Sequence, residues 1–119
     1  EAVLRRSPER PADVHQIELD GLVIDLDRLE VRFPRGRTEL SEREAELLRY
    51  LAANAGRAVS RDELLRRVWG LDPQGVTTRT IDMHVTRLRE KLHDNPADPR
   101  IVLTVRGKGY MFTRAAGPA

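Results

Sequence analysis

The basic side chains of the sequence are concentrated toward its C-terminal end. Residues 77–119 contain eight Lys or Arg and four Asp or Glu, a balance of +4, whereas residues 1–76 contain 13 Arg and 15 Asp or Glu, a balance of −2. Arginine carries a planar set of donors that matches phosphate oxygens and the acceptor edge of guanine. The local excess favours a nucleic-acid-binding surface, although an excess of this size is also typical of an ordinary solvated face.

Groupings that could support catalysis or metal binding are not evident. The chain has no cysteine, and its three histidines, His15, His84 and His93, are too scattered to suggest a metal site. Ser41 and Ser60 precede helical patterns and are better explained as helix caps than as nucleophiles. We therefore expect a protein that is not an enzyme and that needs no metal or cofactor.

The elements that must position the basic residues belong to one small domain. A length of 119 residues suits one compact core, and a composition of 39% apolar, 34% charged and 4% aromatic residues predicts an aliphatic one. No membrane span or signal peptide is evident, which predicts a cytoplasmic location. Because the chain begins with Glu1 rather than Met, we expect a fragment of a longer protein.

The N-terminal half divides into a linker and a small sheet. Residues 1–16 contain two prolines and alternating charges and are predicted to be a linker. Short apolar runs separated by turn signals then predict four short antiparallel strands. These runs are Ile17–Leu19, Leu22–Leu26, Glu30–Phe33 and Thr38–Leu40.

Two capping signals predict the first two helices. Ser41 with Glu44, and Ser60 with Glu63, have the spacing of a capping box. The expected buried face of the first helix is Leu47, Leu48, Leu51 and Ala55, followed by Gly56 as a left-handed stop. The expected buried face of the second helix is Leu64, Leu65, Val68 and Trp69, with Val59 and Leu64 forming a hydrophobic staple.

A third helix is predicted from Thr78, with a basic outer face. Its inward stripe, at positions i, i+4, i+7 and i+11, is Ile81, Val85, Leu88 and Leu92. The opposite side carries Thr80, Met83, Arg87 and Lys91, flanked by Arg79, His84 and Thr86. This face is rich in hydrogen-bond donors and therefore suits a surface that is rich in acceptors.

A β-hairpin is predicted after the third helix. The alternating apolar residues are Ile101, Leu103 and Val105 before the turn and Tyr110 and Phe112 after it. Arg106 and Lys108 place two cations at its tip. A single helix fits the ~12 Å major groove of DNA, and a cationic tip suits the negative potential of a narrow minor groove.

Two ordered segments resemble a known family. RTIDMHVTRLREKL (79–92) followed by TVRGKGYMF (104–112) is similar to the effector domain of OmpR/PhoB-type response regulators of bacterial two-component systems, and residues 40–70 resemble its first two helices. The resemblance spans residues 17–113. It implies an α+β winged helix-turn-helix with an N-terminal four-stranded antiparallel sheet, three helices and a C-terminal β-hairpin wing. It also implies sequence-specific binding of double-stranded DNA for transcription regulation.

The resemblance, together with the charge pattern, implies which residues bind DNA. In the recognition helix, which would enter the major groove, they are Arg79, Thr80, Met83, His84, Thr86, Arg87, Arg89 and Lys91. In the wing, which would enter the minor groove, they are Arg106, Gly107, Lys108 and Gly109. Thr86 departs from the basic residue often found at its position, which predicts a weaker or different contact. Asp82 is interpreted as structural, as a partner of Arg79 or Arg89.

Partners are also implied by the resemblance. The loop that would face the sigma or alpha subunit of RNA polymerase consists of Trp69, Gly70, Leu71, Asp72, Pro73, Gln74, Gly75, Val76 and Thr77. A sensor histidine kinase would act through a receiver domain that is absent from this sequence, and residues 1–6 would be the remnant of that domain. We expect an effector domain at 17–115 with a tail at 116–119, monomeric in solution and bound head to tail on direct repeats.

A different class of function remains open at the level of the sequence. The helices could form a protein-interaction module that contacts RNA polymerase or a partner domain, with an incidental basic face. DNA binding that weakens steeply with salt would separate the two interpretations.

Overall fold

The domain begins with a four-stranded antiparallel sheet. In the computed structural model, which describes residues 14–19, 21–73 and 78–113, the strands follow chain order. They are β1 (Gln16–Leu19), β2 (Leu22–Asp25), β3 (Glu30–Phe33) and β4 (Gly36–Glu39). Ile24 pairs with Ile17 on one side and with Val31 on the other, and all three side chains are buried on one face. The four predicted strands are confirmed, and β1 begins at Gln16, the last residue assigned to the linker.

Helix α1 (Glu42–Ala53) begins at the predicted capping box. Ser41 Oγ accepts a hydrogen bond from the Glu44 N–H, and Glu44 Oε1 accepts one from the Ser41 N–H. Its buried face includes the leucines predicted for it, Leu47, Leu48 and Leu51. Ala55, predicted on the same face, is exposed because the helix has already ended. Gly56 does adopt a left-handed φ of 84°, but it lies in the turn after the helix.

Helix α2 (Arg61–Leu64) is short and continues into a wider, π-helical turn, Leu65–Trp69. Ser60 Oγ accepts a hydrogen bond from the Glu63 N–H, as predicted. The Glu63 carboxylate, however, binds Tyr50 and Arg57 rather than returning to Ser60, so it does not complete a capping box. A π turn holds more residues than an α turn, which rotates the residues that follow it.

The predicted second apolar stripe is consequently only partly buried. Leu64 and Leu65 are fully buried, together with the staple residue Val59. Val68 and Trp69 lie in the π-helical turn and are half-buried.

Helix α3 (Arg79–Leu92) confirms the third predicted helix. Its stripe is Ile81, Val85, Leu88 and Leu92, and each of these residues is at most 2% exposed. The helix ends at His93, whose left-handed φ of 58° turns the chain away. Among the described residues, no helix is both long and apolar enough to cross a membrane.

A β-hairpin follows, formed by β5 (Val102–Val105) and β6 (Gly109–Phe112). The hairpin is confirmed. The prediction of which alternate residues of its first strand face the core, however, is wrong. Val102 is buried, whereas Ile101, Leu103 and Val105 are only half-buried. Because the run Ile-Val-Leu-Thr-Val is apolar in both phases, only packing against the rest of the domain could decide which side faces inward.

The hairpin is also joined to the segment before α2. Val59 exchanges backbone hydrogen bonds with Tyr110, at 2.7 and 2.9 Å. Gly109 lies directly against this segment, with a φ of 152°, and a Cβ placed on it would lie 2.0 Å from the Val59 carbonyl oxygen. Only glycine fits at this position.

We expect Gly109→Ala to lower the free energy of unfolding by about 2–4 kcal/mol, because it adds a steric clash to an unfavourable backbone conformation. Urea unfolding followed by circular dichroism measures the change. Gly36→Ala is the matched control in another hairpin, since a Cβ there meets nothing within 4 Å. A loss no larger than that of the control would contradict the close approach at Val59.

Candidate nucleic-acid interface

The hairpin is anchored to both ends of α3. In the last turn of the helix, the Arg89 guanidinium donates hydrogen bonds to the Val102 carbonyl oxygen, at 3.0 and 2.8 Å, and to Thr104 Oγ1, at 2.7 Å. In the first turn, Asp82 Oδ1 accepts a hydrogen bond from the Tyr110 hydroxyl. With two anchors at opposite ends of the helix, the hairpin cannot pivot freely.

Arg61 of α2 completes the anchor at the first turn. Its Nε lies 2.7 Å from Asp82 Oδ1, and its guanidinium lies 4.9 Å from the centre of the Tyr110 ring. Burial raises the pKa of Asp82, but the hydrogen bonds from Tyr110 and Arg61 outweigh it and hold that pKa below the ordinary value. Burial, followed by the bond to Asp82, raises the pKa of Tyr110. The cluster is therefore a carboxylate with two donors at neutral pH.

This cluster corrects the interpretation of Asp82. The residue is structural, as predicted, but its partners are Arg61 and Tyr110 instead of Arg79 or Arg89. The predicted partners were chosen from the spacing along one helix. The actual partners are 21 and 28 residues away in the sequence.

The outer face of α3 is open to solvent. Four of the predicted residues on it are exposed: Arg79, Met83, Thr86 and Arg87. Arg87 makes no hydrogen bond or ion pair with any residue in the described part of the chain. Thr80 and His84 are half-buried, and His84 Nδ1 lies 3.0 Å from the Thr80 carbonyl oxygen.

Two predicted recognition-helix residues, Arg89 and Lys91, bond to other parts of the domain. Arg89 is only 9% exposed, and its donors are used by β5, so it does not lie on the outer face. Lys91 Nζ lies 2.7 Å from Oε1 of Glu44, a carboxylate that is only 5% exposed. Both cations therefore compensate acceptors inside the domain: the Val102 carbonyl oxygen for Arg89 and the Glu44 carboxylate for Lys91.

The tip of the wing carries exposed cations. Arg106, Gly107 and Lys108 are exposed, and neither Arg106 nor Lys108 forms an ion pair with a described residue. The turn is closed by a 2.9 Å hydrogen bond from the Lys108 N–H to the Val105 carbonyl oxygen, with Gly107 at a φ of 78°. Gly109, also predicted to face DNA, is buried against Val59 and does not belong to this surface.

The predicted polymerase-facing loop is described as far as Pro73. Trp69 packs between the Arg43 guanidinium, 5.2 Å from its ring, and His84, whose ring meets it edge-on at 5.0 Å. Leu71 is 43% exposed. Gln74, Gly75, Val76 and Thr77 lie outside the described residues.

Sequence reasoning missed the residues that hold this surface in place. Arg61 and Arg43 received no role, and Tyr110 was expected only as an apolar residue of the hairpin, although the three fix the wing and support Trp69. No local spacing could have identified them, because each acts on a residue more than 20 positions away.

A sheet followed by three helices and an anchored hairpin defines a winged helix-turn-helix domain. The family described as "Transcriptional regulatory protein, C terminal" matches residues 35–112, which is most of the chain. The chain belongs to this family, the OmpR/PhoB-type effector domains of response regulators. The family consists of DNA-binding transcription regulators.

Individual relatives agree with this assignment. The sensory transduction protein RegX3 of Mycobacterium leprae is 40% identical over 111 residues, which are 92% of this chain and 56% of RegX3. The DNA-binding domain of Klebsiella pneumoniae RstA, solved in complex with the RstA box, superposes with a TM-score of 0.71 at 36% identity, covering 82% of this chain and 96% of that one. The chain spans about half the length of the curated relatives it matches.

A longer chain, that of a response regulator, gives a similar structural match. DrrB of Thermotoga maritima, an OmpR/PhoB homologue, superposes with a TM-score of 0.70 at 36% identity. The match covers 82% of this chain and 44% of DrrB.

We expect Glu44→Gln to destabilise the domain by about 1–3 kcal/mol at pH 7, because it removes a charged hydrogen-bond acceptor from Lys91. Burial raises the pKa of Glu44, but the bonds from Lys91 and Ser41 prevail and lower it below the ordinary 4.5. The stabilisation is therefore complete above that value and lost as the pH falls through the lower, folded-state pKa.

Urea unfolding of both proteins at pH 7 and pH 3 measures this effect. The difference between wild type and Glu44→Gln should shrink at the lower pH. Glu46→Gln is the control on the same helix, because its carboxylate is exposed and its ion pair with Arg43 lies at the surface, where such pairs contribute little. A difference that is independent of pH would show that the Glu44 charge contributes nothing.

Proposed function

We propose that this domain binds specific sites on double-stranded DNA to regulate transcription, with α3 in the major groove and the wing tip in the minor groove. The observation that carries the proposal is the exposed guanidinium of Arg87, which has no partner among the described residues and lies on the side of α3 opposite the buried stripe. A helix presented in this way fits the major groove, where an arginine can donate to both acceptors of guanine.

The wing supports the same orientation. Its tip carries Arg106 and Lys108, both exposed, and its strands are fixed to α3 through Arg89 and Tyr110. An anchored tip holds its cations at a constant distance from the helix, as simultaneous contact with two grooves requires. Cations near phosphates fix the position of a protein on DNA, whereas contacts to base edges provide specificity.

The remaining DNA contacts are assigned by exposure. We propose that Arg79, Thr80, Met83, His84 and Thr86 complete the helix surface around Arg87, and that Gly107 lets the wing approach the groove closely. Arg89, Lys91 and Gly109 act on DNA only indirectly, by holding the helix and the wing in place.

Membership of the family supports a proposal about the wider setting. We propose that the domain is monomeric alone and binds direct repeats head to tail, with both recognition helices on one side of the duplex. Trp69 and Leu71 are the described part of the surface proposed to meet RNA polymerase. A sensor histidine kinase would control it through a receiver domain outside these residues, in the cytoplasm and without an enzyme activity of the domain itself.

We expect Arg87→Ala to weaken binding to a site selected from a random duplex pool by ~1–3 kcal/mol, because a bidentate contact to one base is lost. Fluorescence anisotropy with the selected and a shuffled duplex measures both affinities. Arg35→Ala removes the same charge from an exposed turn of the sheet and should show no sequence-dependent loss. Equal losses of Arg87→Ala on both duplexes would reduce Arg87 to a phosphate contact.

We expect Lys108→Ala to reduce the salt dependence of binding by about one unit of slope, because one phosphate contact fewer releases about one counterion fewer. Affinities at four or more salt concentrations measure the slope. Lys108→Arg keeps the charge and should keep the slope. If Lys108→Ala leaves the slope unchanged, the wing tip does not contact DNA at this residue.

A further inference from the structure

Two apolar groups lie beside Arg87 on the outer face of α3. Met83 is 49% exposed, one of two large hydrophobic side chains that are exposed within the described residues. Thr86, three residues further along, is also exposed. Residues three and four apart on a helix are neighbours, so Met83, Thr86 and Arg87 form one continuous surface.

The hydroxyl of Thr86 is engaged inside the helix. Thr86 Oγ1 donates a hydrogen bond to the carbonyl oxygen of Asp82, four residues earlier, at 3.0 Å. A threonine bonded in this way holds one side-chain rotamer, in which the methyl group occupies a different staggered position from the oxygen. The methyl group is therefore the part of Thr86 that is free to meet a partner.

A phosphate contact does not fit this side chain. Phosphate oxygens require a donor or a positive charge, and the only donor of Thr86 is already used by Asp82. Met83 has no donor at all. The surface beside Arg87 is consequently suited to an apolar group, and a base pair displays an apolar group in the major groove only as the C5-methyl of thymine.

We propose that Thr86 and Met83 recognise the methyl group of a thymine next to the base read by Arg87. The inference rests on the proposed function, in which α3 occupies the major groove. It specifies a feature of the operator: a thymine must lie beside the guanine that accepts from Arg87. Burying one methyl group corresponds to about fourfold in affinity.

The test removes the methyl group from one side of the contact at a time. The wild-type domain is first used to select an operator from a random pool of duplex DNA that contains no methylated cytosine. Each thymine is then replaced singly by deoxyuridine, which lacks only the C5-methyl. Thr86→Ser removes the protein methyl and keeps the hydroxyl, whereas Thr86→Val keeps a methyl and removes the hydroxyl. Met83→Ala shortens the second apolar group.

The wild-type domain should lose about fourfold in affinity when one particular thymine becomes deoxyuridine. Thr86→Ser should bind the thymine operator about that much more weakly and should no longer respond to deoxyuridine at that position. Thr86→Val should respond as the wild type does, and Met83→Ala should respond less. Circular dichroism checks that each variant is folded.

Other results overturn the inference. If no thymine is sensitive to loss of its methyl, or if Thr86→Ser keeps the full wild-type response, Thr86 does not read a thymine methyl group. If Met83→Ala keeps that response, Met83 has no part in the contact. Failure of the proposed function itself looks different, because the pool would then yield no enriched sequence and the wild type would bind all duplexes equally.

Discussion

Burial of one side of α3 is the interaction on which the arrangement of the whole surface depends. Ile81, Val85, Leu88 and Leu92 are almost completely buried, and burial of an aliphatic side chain of this size contributes about 1.5–3 kcal/mol. Because their spacing places them on one side of a helix, their burial fixes which residues face outward. Arg87 is presented to solvent because its neighbour Leu88 is held in the core.

Some cations of α3 are bonded inside the domain and others are exposed, and partners distant in sequence decide which. Arg89 donates hydrogen bonds to the Val102 carbonyl oxygen, and Lys91 pairs with the Glu44 carboxylate. A buried acceptor without a donor is costly, so each of these cations is committed to the fold. Arg87, only two residues from Arg89, meets no such acceptor in the described part of the chain, and its donors stay exposed to solvent.

The sequence was sufficient for features that depend on local patterns. The strands, the Ser41 capping box and the inward stripe of α3 follow from spacing within a few residues, and the structure confirms them. The exposure of Arg87, Arg106 and Lys108 was predictable for the same reason. The inward side of β5 was not, since its apolar residues occupy both phases, and only contact with the rest of the domain distinguishes them.

The internal contacts of Arg89, Lys91 and Gly109 could not be predicted from neighbouring residues in the sequence either. Each depends on a partner at least 13 residues away in sequence: Val102 for Arg89, Glu44 for Lys91, and Val59 for Gly109. The resemblance to a family pointed to α3 and to the hairpin as whole segments. It did not separate residues that hold the helix and the hairpin in place from residues that are exposed on their outer surface. Both kinds alternate along the same helix and the same hairpin.

This separation also explains how a chain with a net charge of only +2 can present a cationic surface. The Asp82 carboxylate is neutralised by Arg61, and the Glu44 carboxylate by Lys91, so neither acid offsets the outward cations. Charges farther apart than about 8 Å are largely screened at physiological salt, so local balance matters more than the total. Arg87, Arg106 and Lys108 remain exposed at α3 and the wing, while in the sheet Glu30 forms ion pairs with its own neighbours Arg32 and Arg37.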